Sequence, residues 1–296
     1  RTRARVFGIK GEGVADSRSV GGLGGDVQVE ALPPPNIDGL TALESIGGRL
    51  LIQNNSALPN MDGFVALESL GDTFLLDDNA SLSSIAGFSA LMELGADLIF
   101  RDNPALEEIS GFGALAVIAG DLQISVNPSL ATVNGFANLE QVHGDINILN
   151  NSSLSLVDMM PKLMAVTGSL SIMENPILNQ LSDFPELVSV GGNMNFRDLG
   201  ALTEIGGFNT MDSLGGAFSI SDCDSLLSVT GYASLKHIGA AMSFMGNPEL
   251  TNIAGFAELG TVLGGLKIQD NAALTTVSGF GILHTVKGNL IFDGQS

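Results

Sequence analysis

Carboxylate side chains recur along this chain at a spacing of 24 residues. Asp97, Asp121 and Asp145 occupy the same position of three successive repeats. A neighbouring position carries mostly acidic or amide residues: Asn54, Asp78, Asp102, Asn150, Glu174, Asp198, Asp222 and Asp270. Stacked repeats would place such carboxylates about 5 Å apart, and Ca²⁺ prefers oxygen ligands. Asp97, Asp121 and Asp145 are therefore candidate Ca²⁺ ligands, against the alternative of solvated turns. No other cofactor is predicted.

The residue types that most often carry catalysis are scattered. His143, His237 and His284 fall at different positions of the repeat, several repeats apart, so they are not expected to share a metal. The single cysteine, Cys223, stands where most repeats have asparagine, and we expect it to be buried and inert. Nucleophile-elbow, zinc-protease and phosphate-loop motifs are absent from the sequence. We therefore predict that the protein is not an enzyme.

One asparagine per repeat is the strongest polar feature. These residues are Asn55, Asn79, Asn103, Asn127, Asn151, Asn175, Asn247 and Asn271, with Leu199 and Cys223 in the same column. They can form a line of ligands, or an internal ladder in which each amide bonds the main chain of its own and neighbouring coils. Because buried amides need hydrogen-bond partners, the ladder is favoured.

A repeat unit of 24 residues, clearest at 120–143, positions all these side chains. Its Leu-x-Ile pair alternates apolar and polar residues, which indicates a strand with one buried face. Such a short unit buries its apolar side only against the next copy. Because no insertions occur, equivalent strands should be parallel and stack at about 4.8 Å. We predict an all-β parallel β-solenoid of about eleven coils, with Phe64, Phe88, Phe112 and Phe136 stacked inside.

The ends of the chain depart from the repeat. Residues 1–24 form a basic arm or lead-in, and 25–296 form a single solenoid. Residues 25–36 are interpreted as a degenerate N-terminal cap coil, because Pro33, Pro34 and Pro35 blunt a sheet edge. No C-terminal cap is recognisable before Ser296, so either the protein continues or another molecule is expected to cover this end.

The pattern I-x-G-x-L-x-I-x-x-N-x-x-L-x-x-I-x-G-F-x-x-L, clearest at 118–139, resembles the leucine-rich repeat and, more closely, the receptor L domain. That domain occurs in growth-factor-receptor ectodomains and fungal cell-wall proteins. The resemblance covers about 25–295. It implies a right-handed parallel solenoid and an extracellular or cell-surface setting. The cysteine-rich modules that flank receptor L domains have no counterpart in a chain with one cysteine.

The formal charge of −20 limits the partners. Residues 1–18 hold five of the twelve basic residues, and the rest of the chain carries −23. Such an acidic surface disfavours nucleic acid and anionic membranes, and no stretch is long and apolar enough to be predicted as a transmembrane segment. Leu51, Leu75 and Ile99 form a candidate contact patch on an outward face. Acceptor triplets make Asn54 and Asn150 the glycosylation candidates.

Two functions remain open. The first is a structural or adhesive building block of an extracellular assembly, such as a coat, appendage or filament, whose partner is a protein, including copies of the chain itself. The alternative is a ligand-recognition ectodomain that binds a protein or a glycan on one face of the solenoid. Self-association distinguishes them, because a building block should pack on its own copies.

Overall fold

The computed structural model describes residues 22–30, 37–157, 160–181 and 184–294. Each regular coil has three sides, and each side adds one strand to a parallel sheet that runs along the stack. Equivalent residues pair from coil to coil, as Leu122 does with Ile146. One side forms a sheet of 12 four-residue strands, here called the long sheet. Its strands are Val27–Glu30, Leu50–Gln53, Phe74–Asp77, Leu98–Arg101, Leu122–Ser125, Ile146–Leu149, Leu170–Met173, Met194–Arg197, Phe218–Ser221, Met242–Met245, Leu266–Gln269 and Leu290–Asp293.

The other two sides are built from two-residue strands. The short sheet has 11 strands: Ser45–Ile46, Ser69–Leu70, Glu93–Leu94, Val117–Ile118, Gln141–Val142, Ala165–Val166, Ser189–Val190, Ser213–Leu214, His237–Ile238, Thr261–Val262 and Thr285–Val286. The third side, the split sheet, has a five-stranded part: Ser84–Ile85, Glu108–Ile109, Thr132–Val133, Leu156–Val157 and Gln180–Leu181. Its four-stranded part consists of Glu204–Ile205, Ser228–Val229, Asn252–Ile253 and Thr276–Val277. Two 3-10 turns, Asp38–Leu40 and Asp62–Phe64, lie in the first coils at the corner between this side and the short sheet.

The core is a set of stacked apolar columns. Both inward residues of the long strands are buried from Val27 to Ile268. From Leu50 onwards they are covered by the coils before and after. The phenylalanine column is equally buried: Phe64, Phe88, Phe112 and Phe136 stack with ring centroids 5.2 to 5.4 Å apart. A second stack contains Phe184, Phe208, Tyr232, Phe256 and Phe280.

Glycine precedes the aromatic residue where the chain turns towards the short sheet. A Cβ atom on Gly87 would lie 1.9 Å from the carbonyl oxygen of Met61 in the coil before. The coils are therefore close enough at this corner that a side chain would force the backbone apart.

The predicted fold is confirmed: the chain is an all-β parallel solenoid of about eleven coils, with the four phenylalanine rings inside. Residues 1–21, which include most of the expected arm, lie outside the described residues. The same holds for 31–36, which contain the three prolines, and for 295–296. In the last described coil Leu290 and Phe292 are 60% and 53% exposed, whereas their counterparts in the preceding coils are buried. Among the described residues, no helix has the length and hydropathy needed to cross a membrane.

Candidate functional site

The asparagine column lies at the turn between the long and split sheets, and its eight side chains are buried. Asn103 shows the full pattern. Its amide nitrogen donates to the carbonyl oxygens of Leu76, at 3.1 Å, and Arg101, at 2.8 Å. Its main-chain N–H donates to Oδ1 of Asn127 at 3.1 Å, and its own Oδ1 accepts from the N–H of Asn79. Asn103 thus links three successive coils, and this arrangement leaves its polar atoms with little capacity for a ligand.

A second side-chain ladder, which the sequence analysis missed, contains the three candidate Ca²⁺ ligands. Oδ1 of Asp97 accepts the main-chain N–H of Asp121 at 2.9 Å, and Oδ1 of Asp121 accepts that of Asp145 at 2.7 Å. Asp145 bonds Ser169 in the same way, and the column continues through Asn193. Among the described residues, no three His, Cys, Asp or Glu side chains are grouped closely enough to hold a metal ion.

The outward acidic column has a conformational role. In the eleven turns that the structure describes, the residue before the asparagine position has a positive φ: Asn54, Asp78, Asp102, Val126, Asn150, Glu174, Asp198, Asp222, Gly246, Asp270 and Gly294. Asn, Asp and Gly tolerate this left-handed conformation best. The preference for Asp and Asn in this column therefore follows from the turn and does not by itself indicate a ligand.

The potentially reactive side chains are dispersed. His143, His237 and His284 are exposed and lie on different coils. Cys223 is fully buried, and burial raises the pKa of its thiol to about 12 although a main-chain hydrogen bond from Leu199 opposes this shift. A protonated, inaccessible thiol is a poor nucleophile.

The outer face of the long sheet is distinguished by its charge. Its 12 strands project 24 side chains outward, of which Glu30, Asp77 and Asp293 are acidic and Arg101, Arg197 and Lys267 are basic. This face is therefore neutral overall, and the rest of the chain carries the whole formal charge of −20. Among the outward positions of the long strands from Gln123 to Met245, only Arg197 is charged.

Ion pairs neutralise both arginines of this face within the molecule. Arg101 donates from Nε and one amino group to the two carboxylate oxygens of Asp77, at 3.0 and 2.9 Å. This hydrogen-bonded pair raises the pKa of Arg101 above its ordinary value. Arg197 pairs with Glu174 and, at 3.5 Å, with Asp198. The guanidinium groups thus need no external anion.

The predicted contact patch lies at one end of this face. Leu51, Leu75 and Ile99 are half-buried and pair in register on three neighbouring strands. Gln28 and Gln123 continue the same column on either side. The glycosylation candidates Asn54 and Asn150 are exposed, whereas Asn55 and Asn151 beside them are buried.

A shallow recess of about 790 Å³ lies against the short sheet near its N-terminal end. Gly47, Gly71 and Gly95 stack along it, with Glu93 at one side and Leu23 at its end. Because glycine lacks a side chain, the main chain forms much of its floor. The volume is within the range of small-molecule sites, but the wall offers few convergent polar groups.

The fold defines the class of this protein as a parallel β-solenoid built from tandem 24-residue repeats. Comparisons of the chain with protein-family models, curated proteins and solved structures found no match in any of the three. The likeness to leucine-rich repeats and receptor L domains is therefore one of sequence pattern.

Proposed function

We propose that this protein is a non-enzymatic structural or adhesive building block of an extracellular or cell-surface assembly. The observation that carries the proposal is the neutral outer face of the long sheet on a chain of formal charge −20. Protein interfaces are depleted of charged residues at their centre. An acidic scaffold with one extended neutral face has a surface suited to packing, while its other faces remain hydrated.

The regularity of the coils supports the same function. Residues stack on equivalent residues over 12 strands, so the face is continuous along the whole solenoid, about 50 Å at the usual strand spacing. Small side chains keep it even: Ser125, Ser171 and Ser221 are buried between their outward neighbours. An even surface of this length suits lateral packing better than the capture of a small ligand.

Sedimentation velocity of the full chain, over a range of protein and salt concentrations, tests this role. We expect species larger than a monomer that grow with protein concentration. They should persist at 1 M salt, because contacts through a neutral face are little screened. A monomer under every condition would contradict the building-block role.

The extracellular setting rests on the receptor-L-domain-like pattern and on the exposure of Asn54 and Asn150. Labelling intact source cells with a membrane-impermeant amine reagent tests it. We expect the protein to be labelled before lysis. Labelling only after lysis would contradict this location.

The glycine-lined recess supports the second candidate function, recognition of a protein or glycan ligand. A recognition module should remain monomeric and bind its ligand in a saturable manner. Glu93→Gln should then change the affinity, while Glu108→Gln on the split sheet should not. Equal binding by both variants would exclude the recess as the ligand site.

A further inference from the structure

We infer that the outer face of the long sheet binds the same face of a second copy of this chain. The inference rests on the proposed role in an assembly and names the partner and the surface. Two observations together support it: this sheet face is even and charge-balanced, and the rest of the chain carries the formal charge of −20.

Electrostatics favours this face over the others for self-association. Two copies of formal charge −20 repel each other, and the repulsion is strongest where acidic surfaces approach. Acidic residues lie along the outward turn column, as in Asp222 and Asp270, and beside the short sheet, as in Glu44 and Glu68. The long-sheet face brings no net charge to the contact, so its pairing adds the least repulsion.

The same face is chemically compatible with itself. A two-fold contact uses one surface twice, so the surface must be self-complementary. Because Arg101 is already paired with Asp77 and Arg197 with Glu174, neither arginine requires a carboxylate from the partner. Leu149, Met173 and Met245 supply apolar contacts among hydroxyl and amide groups that can bond a second copy.

The polar side chains of the face already bond one another across strands. Asn195 donates to Oγ of Ser171 at 3.1 Å, and the hydroxyl of Ser243 lies 3.1 Å from that of Ser219. These bonds fix the side chains before any contact forms, so ordering them on association costs little entropy. Exposed aromatic rings, which commonly stack on sugars, are absent from the outward positions of these 12 strands. A second copy is therefore favoured over a glycan.

The dimensions are sufficient for a stable dimer. Twelve strands at about 4.8 Å spacing and four residues at about 3.3 Å give a face of roughly 700 Å² per copy. Standard protein interfaces bury about 800 Å² per partner. The contact patch of Leu51, Leu75 and Ile99 lies within this area and would be covered with the rest of the face.

Two matched pairs of substitutions test the inference by sedimentation velocity. Leu149→Glu places a charge on the long-sheet face, and Leu156→Glu places the same charge on the split sheet a few residues later; both leucines are half-buried. Ser219→Arg and Ser213→Arg form the second pair, on the long and short sheets. Thermal unfolding of all four variants identifies any loss of folding.

We expect Leu149→Glu and Ser219→Arg to raise the dissociation constant of self-association at least tenfold. Leu156→Glu and Ser213→Arg should leave it within about twofold of the unsubstituted chain. If the unsubstituted chain associates and the long-sheet variants associate equally well, this surface assignment is overturned while the building-block role stands. If it is monomeric throughout, the assignment and the proposed function both fail.

Discussion

The N-terminal and middle parts of the solenoid follow the same path, but they differ in the side-chain hydrogen bonds that join successive coils. From Asn55 to Asn175 the asparagine ladder is continuous, and each coil is bonded to the next by a buried amide. At Leu199 and Cys223 the amides are missing. Among the described residues, the main-chain N–H of Asn175 has no hydrogen-bond acceptor in this column. The main-chain N–H of Leu199 bonds the sulfur of Cys223 in place of an amide oxygen.

Other regular features fail in the same part of the chain. The split sheet is divided between Gln180–Leu181 and Glu204–Ile205, and Met160 separates the two aromatic stacks. The long sheet, in contrast, runs through this region without a break. The comparison shows that the long sheet continues where the side-chain ladder is interrupted, and it predicts that the ladder adds stability to the coils that it joins.

Removing an aromatic ring from the first stack should have the largest effect. Phe112 contacts Phe74, Phe88, Phe100 and Phe136, so Phe112→Ala leaves a cavity and loses several ring contacts. We expect the free energy of unfolding to fall by about 3–5 kcal/mol in urea denaturation. Met160→Ala, between the two stacks, is the comparison. A smaller loss for Phe112→Ala than for Met160→Ala would contradict the stabilising role of the stack.

Breaking the continuous ladder should cost nearly as much. Asn127→Leu places a leucine in the asparagine column, as Leu199 does naturally. It removes the side-chain hydrogen bonds of Asn127 to main-chain groups of Phe100, Ser125 and Asn103. Leaving these buried main-chain groups unpaired should lower the free energy of unfolding by about 2–4 kcal/mol. Asn179→Leu, at an exposed position, serves as the control in the same urea experiment. Equal stability of the two variants would show that the amides are dispensable.

Much of this comparison was accessible from the sequence. The phenylalanine and asparagine columns, and their interruption at Leu199 and Cys223, follow from counting in steps of 24. Periodicity shows which residues stack, but it gives no dihedral angles. The left-handed turn at Asn54 and its equivalents was therefore not recognised, although Asn, Asp and Gly in one column are its usual signal. The bonding of Asp97 to the next coil was missed for the same reason.

The second aromatic stack contains a polar defect that can be removed. Tyr232 is fully buried, its hydroxyl has no hydrogen-bond partner among the described residues, and burial raises the pKa of its phenol well above the ordinary value. Tyr232→Phe removes the unpaired hydroxyl and keeps the ring. We expect the free energy of unfolding, measured by urea denaturation, to rise by about 1–2 kcal/mol. A loss of stability would mean that the hydroxyl is hydrogen-bonded in solution.

A smaller gain in stability is expected at Val126, the one β-branched residue among the positive-φ residues of the outward turn column. Val126 has a φ of 56°, a conformation that costs L-residues about 1–2 kcal/mol. Val126→Asn should raise the free energy of unfolding by about 1 kcal/mol, since asparagine tolerates this conformation. Asp78→Asn, with a φ of 52°, should change little. Equal effects of the two substitutions would indicate that Val126 is not strained.

Residue-resolved hydrogen exchange tests most directly whether the side-chain ladder fastens coil to coil. The amide of Asn127 donates to Oδ1 of Asn151 at 3.0 Å, whereas Leu199 offers no acceptor to the amide of Asn175. We expect the Asn127 amide to exchange at least tenfold more slowly than that of Asn175, and Leu199→Asn to slow exchange at Asn175 towards the Asn127 rate. Equal protection of the two amides in the unsubstituted chain, unchanged by Leu199→Asn, would contradict the account.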